Sequence, residues 1–250
     1  MNLPPITPAQ IKILLLIYQF RFLNRLHIQS LLKHKDPHRI KSWLTDLTTK
    51  EYLTRIYSNK FPENTKPAIY HLNLKSKKYL KQHEQINNKL LNRVYREKIR
   101  SRAFIDHYLF LADIYLSLIS QNNENKDKLH FYTKTQLTEH SYLLRPLPDA
   151  YIALTDEGSK TKRYFIEIFE DQVPRFVVRK RIEQYIEYFE SKEWETQTKN
   201  PFPIILLVCP NETGKKYISR FITKILEEDI VGIVFSLTTR EEVQKEGVKL

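Results

Sequence analysis

Cysteine is almost missing: Cys209 stands alone in 250 residues, so neither a disulfide framework nor a thiolate zinc site can be built within the chain. Glycine is nearly as scarce, with four residues against twelve prolines, and this leaves little material for glycine-rich phosphate loops. The nearest approach to one, "CPNETGKKYI", has Cys209 where the P-loop pattern needs glycine and Lys216 where it needs a hydroxyl. It reads instead as a strand-to-helix connection capped by Asn211 or Thr213. The histidines never take the H-E-x-x-H spacing of a zinc protease, and nothing marks a Ser-His-Asp or Cys-His nucleophile. Long apolar runs are lacking as well. "IKILLLIYQF" is short, is interrupted by Lys12 and has no small-residue cleavage site, so it reads as a core helix rather than a signal or a membrane span. The expectation is a cytoplasmic protein without a membrane partner.

What is present in excess is positive charge, and it is concentrated. The chain has 41 Lys and Arg against 29 Asp and Glu. Residues 1–100 hold 20 of the first and 6 of the second, a net of +14; the remaining residues hold 21 and 23, a net of −2. A field confined to one segment is the kind that draws a chain to phosphate, which makes double-stranded DNA the expected partner.

That basic segment has a readable plan. In "ITPAQIKILLLIYQF", Thr7 is placed to cap a helix with Pro8 in its first position, and Ile11, Leu14, Leu15 and Tyr18 recur at helical spacing. A second helix is expected over Asn24–Leu32. A third opens at Asp36-Pro37, with Ile40, Trp43 or Leu44, and Leu47 as its buried stripe. His38, Arg39, Lys41, Ser42 and Thr45 are left toward solvent. Two β-type runs, "YLTRIYS" and "AIYHLN", follow on either side of "NKFPENTKP", which carries Lys60 and Lys66. Three helices and a hairpin make the order of a winged helix-turn-helix, whose third helix would read a major groove while the hairpin touches backbone. The seven polar residues just named, His38 through Lys66, are the candidate DNA contacts. Winged helices also bind proteins, so an adaptor remains the alternative for this part.

Beyond a helical connector the pattern changes. "LHFYTKTQL", "DAYIAL" and "KRYFIEIF" read as strands, "VVRKRIEQYIEYFES" as an amphipathic helix, "FPIILLVCP" as a strand buried on both faces, "KKYISRFITKILEE" as a helix and "IVGIVFSL" as a last strand. The fold expected is α+β overall: residues 1–88 as a winged-helix domain, and 89–250 as an α/β domain with a mixed central sheet.

Within that second part, "RPLPDAYIALTDEGSKTKRYFIEIFED" places an acid near each outer end of a hairpin. If it folds about Gly158, facing positions sum to about 316, and Asp149 lies opposite Glu167 with Cβ atoms about 5 Å apart. Two carboxylates so close need a cation between them or a proton on one. Magnesium is one solution; the other is a purely structural hairpin, with Asp149 as a strand-entry residue and Glu167 paired with Arg163, Arg179 or Lys180.

Pro148-Asp149, a strand bearing Glu167 and a following helix with Lys180 resemble the PD-(D/E)xK nuclease core. More closely, "HYLFLADIYLSLI", "RPLPDAYIAL", "YFIEIFED" and "RKRIEQYIEYF" after a winged helix resemble the replication-relaxation family of plasmids and mobile elements. The resemblance implies a restriction-endonuclease-like α/β domain in which Asp149 and Glu167 hold Mg2+ and Lys180 assists the attacking water. It further implies work in replication, relaxation or mobilisation, as a homodimer or with other replication proteins. The chain departs from the nuclease motif at Phe169, where lysine belongs. Arg179 or Lys180 could replace that cation, and Asp113 or Glu97 could add an acid. The alternative implied is a non-cutting, site-specific DNA-binding regulator or initiation factor on a degenerate nuclease fold.

Overall fold

The computed structural model describes residues 5–83, 86–125, 128–226 and 232–250, and the chain divides into two compact units, Met1–Leu116 and Ser117–Leu250.

The first unit is built from α1 (Pro8–Phe20), β1 (Leu23–Asn24), α2 (Arg25–Leu31), α3 (Pro37–Thr49), β2 (Leu53–Ile56), β3 (Ile69–Leu72), α4 (Lys77–Leu80) and α5 (Asn88–Leu91). Each of the first three helices starts where its sequence supplies a cap. Thr7 accepts the Gln10 amide and Gln10 reciprocates; Asn24 and His27 do the same for α2; Asp36 accepts the amide of His38 at α3. The expected stripe of α3 is buried through Ile40, Leu44 and Leu47; α3 packs on α1 and α2, where Ile13, Leu14, Ile17 and Ile28 are likewise fully enclosed. Each such side chain contributes roughly 1.5–3 kcal/mol of transfer free energy. Trp43 is half-buried instead, edge-on to His34. The three strands form one antiparallel sheet in the order β1-β3-β2.

The segment 76–120, expected to be helical throughout in two or three pieces, consists among the described residues of α4, α5, a 3-10 turn over Val94–Ile99 and the long α6 (Arg102–Asn125). By length and apolar content α6 could cross a membrane. Asp113 in its middle is bonded to His27 of the same unit, and an acid at that position is costly in lipid and ordinary on a packed helix.

The second unit continues with β4 (Lys128–Thr133), α7 (Lys134–Leu137), β5 (Ala150–Thr155), β6 (Thr161–Ile168), α8 (Arg175–Glu190), α9 (Glu193–Thr198), β7 (Ile204–Cys209), α10 (Glu212–Leu226), β8 (Phe235–Thr239) and α11 (Arg240–Glu246). Its sheet is mixed and runs β4-β5-β6-β7-β8. The first three strands are antiparallel neighbours, β5 and β6 joined as a hairpin; β6, β7 and β8 are parallel, joined through helices as parallel strands must be. Ala150 pairs with Ile166 and Thr155 with Thr161, which is the register expected from a fold about Gly158. Phe165 on β6 and Phe169 just past its end belong to the core that α8 covers with Val178, Ile182 and Tyr185. Glu167 alternates onto that same face.

Candidate functional site

Ala150 and Ile166 are the last paired residues of the hairpin, so Asp149 stands at the strand entry one residue before that pair and Glu167 one residue beyond it. The Asp149 amide donates to the Ile166 carbonyl at 2.9 Å, and its carboxylate Oδ2 accepts the Ile168 amide at 2.9 Å. Both acids are buried, with relative exposures of 6 % and 8 %. Each has its own cation.

Asp149 takes Lys134, whose Nζ lies 3.0 Å from Oδ1. The pairing follows from the β4–β5 register. Thr133 faces Ala150, so the next residue on one strand meets the previous residue on the other, and the Lys134 amide bonds the Asp149 carbonyl at 3.1 Å. Glu167 takes Arg181. Its Oε1 accepts from both Nε, at 3.0 Å, and Nη2 of the guanidinium. The same oxygen accepts the Tyr185 hydroxyl at 2.8 Å. Arg181 reaches it because α8 buries one face, and position 181 falls between Val178 and Tyr185 on that face.

Electrostatically the cluster is closed: two carboxylates meet one ammonium and one guanidinium. Burial raises the pKa of Glu167, and Arg181 works against that rise. Burial, then the charge of Glu167, pushes the Tyr185 hydroxyl well above its ordinary value. Burial alone would lower the Arg181 pKa, but Tyr185 and Glu167 outweigh it and hold the guanidinium charged.

Three of the four carboxylate oxygens of this pair are already engaged, which leaves a magnesium ion few ligands here. Mg2+ requires near-octahedral oxygen ligands at about 2.1 Å and keeps much of its water. Here Oδ1 of Asp149 and Oε1 of Glu167 already carry a cation each, while Oδ2 of Asp149 is held by a backbone amide. Among the described residues no group of three or more His, Cys, Asp or Glu gathers in a ligating arrangement.

The other residues named for this chemistry lie elsewhere. Lys180 and Arg179 are exposed on α8, the latter lying over the Phe221 ring. Phe169 is buried in the core. Glu170 is bonded to Arg240 at 2.8 Å. Within the first unit, Asp113 is engaged by His27 and Glu97 by Arg21, at 2.8 and 2.6 Å. Lys134 and Arg181 are the partners that sequence reasoning missed.

The candidate DNA contacts form a separate set. His38, Arg39, Lys41, Ser42 and Thr45 are all exposed on α3, and Arg39 rests 5.7 Å from the Trp43 ring centre. Lys60 and Lys66 are exposed in the connection between β2 and β3, Lys66 paired with Glu63 at 3.0 Å. Lys33 and Lys35, in the turn before α3, are exposed too and add two further cations to this unit.

These features define an α+β protein with a five-stranded mixed sheet, a buried two-acid, two-base cluster and a basic amino-terminal unit. The family model described as replication-relaxation matches residues 14–205, more than half of the chain, and the chain belongs to that family. Membership carries a role in plasmid or mobile-element replication or relaxation. No curated protein and no solved structure matches it.

Proposed function

We propose that the protein is a DNA-binding factor of a plasmid or mobile element that serves replication or mobilisation without cutting the duplex. In this reading the first unit is a winged helix. The exposed face of α3 enters a major groove through His38, Arg39, Lys41, Ser42 and Thr45, and the β2–β3 connection brings Lys60 and Lys66 to adjacent phosphates. Support comes from the element order and the antiparallel β1-β3-β2 sheet. It comes also from the exposure of those seven side chains and the net +14 of residues 1–100.

The second unit is then a nuclease-like core put to a non-catalytic use. The carrying observation is that Arg181 and Lys134 occupy the carboxylates where a nuclease would need its metal. A cation that must leave before the metal can bind is an unfavourable design for metal-ion catalysis. Bound duplex should therefore be shifted in a gel, with affinity falling steeply as salt is added, while supercoiled plasmid stays intact in magnesium. Magnesium-dependent nicking that disappears in Asp149→Ala would restore the catalytic reading.

A further inference from the structure

The connection between β2 and β3 carries a feature that phosphate binding alone does not use. Phe61 is 82 % exposed, the most exposed large apolar side chain among the described residues. It stands at the apex of a loop that is tied down from below. The Tyr57 hydroxyl donates to the Asn64 carbonyl at 3.2 Å, the Thr65 hydroxyl to the Pro62 carbonyl at 2.7 Å, and the Asn64 amide to the Lys60 carbonyl at 3.0 Å. A short 3-10 turn over Glu63–Thr65 completes the brace. The phenyl ring is thus presented on a pre-formed support, at little further entropic cost on binding.

The segment that carries it is cationic. Arg55 on β2, and Lys60 and Lys66 on either side of Phe61 in the loop, are exposed, and the one acid of residues 55–66, Glu63, is paired with Lys66, which leaves a net of +2 over that segment. An apolar ring flanked by cations on a rigid projection matches a duplex, with phosphates on either side and a base step between them. Phe and Pro side chains act as wedges of this kind in minor-groove proteins that kink DNA.

Resting on the DNA-binding reading above, we propose that Phe61, followed by Pro62, inserts between base pairs from the minor groove and kinks the bound duplex. Pyrimidine–purine steps, which unstack most readily, are its preferred targets.

The test uses the full chain and short duplexes that place 2-aminopurine beside TA or CA/TG steps, with a fluorophore pair at the ends. Binding should raise 2-aminopurine emission at one step and shorten the end-to-end distance. Phe61→Ala should abolish both signals and weaken binding on the order of tenfold, since the stacking of one aromatic ring carries roughly that much. Phe61→Leu should keep part of each. Because the ring is in solvent, both variants should melt like the parent. Unchanged emission and bending in Phe61→Ala, with the duplex still bound, overturns the wedge and leaves DNA binding standing. Failure of the parent to bind any duplex at low salt overturns both.

Discussion

At the scale of single residues, Arg181 decides the character of the carboxylate pair. Its side chain is 8 % exposed and that of Glu167 10 %, so neither charge can turn to water when the other is removed. Arg181→Ala should destabilise the fold by about 3–5 kcal/mol, the usual cost of stranding one member of a buried pair. Arg181→Lys keeps the charge but loses the planar fork and should fall between. The deficit should also depend on pH. Burial raises the folded-state pKa of Glu167. A group raised on folding contributes stability that is fully present below its unfolded pKa, about 4.3 for glutamate, and lost as pH climbs through the folded value. Without the guanidinium the folded value rises further and the loss becomes larger. Denaturant melts of parent and variant should therefore lie closer together near pH 4 than near pH 8, where ~3–5 kcal/mol separates them. Equal gaps at both would mean that Glu167 is not ionised against Arg181.

The same residue shows what was readable beforehand. A turn at Gly158 and the period of a strand put Asp149 near Glu167, and the strand pairing from Thr155–Thr161 up to Ala150–Ile166 has the register that this requires. Which cations answer them did not follow. Arg179 and Lys180 were the natural candidates by proximity, but the α8 stripe runs through Val178, Ile182, Tyr185 and Ile186, and only position 181 among the three shares that face. A basic residue on a buried stripe is itself a sign of a buried partner. The signal was present in the helical period.

Among elements, the caps carried the most information. Thr7, Asn24 and Asp36 all lie where α1, α2 and α3 begin, because an unpaired first turn needs a side-chain acceptor wherever tertiary structure places it. Asn24→Ala should cost about 1 kcal/mol, with unfolding midpoints as the measurement. Arg39→Ala, on an exposed face, should stay within about 0.5 kcal/mol of the parent while weakening DNA binding. If the two variants exchanged these effects, the assignment of α3 as the contact helix would fail. One cap was passed over. "LHFYTKTQL" reads as a single strand, yet Thr133 and Gln136 form a capping box that ends β4 and starts α7. That turn holds Lys134, so missing the box meant missing the partner of Asp149. Helices α7 and α9, of four and six residues, are too short for periodicity to reveal.

For the whole molecule, the decisive quantity is where charge lies along the chain. Residues 1–100 carry +14 and the rest −2, so the polyelectrolyte contribution to DNA binding should come almost entirely from the first segment. Each phosphate neutralised on duplex DNA adds about 0.9 to the slope of log K against log salt. Replacing exposed Lys33, Lys35, Arg39 and Lys41 by glutamine should lower that slope by about 3 to 4 if all four touch phosphate. Lys160, Lys162, Lys180 and Lys216 of the second unit carry the same charge, and their replacement should leave the slope within error of the parent. Anisotropy titrations across a salt series, in chelator so that magnesium does not compete, separate the two sets. Equal losses from both would mean that net charge alone, without its segregation, draws the protein to DNA. A slope that responds only to the second set would place the DNA on the mixed-sheet unit and remove α3 from the interface.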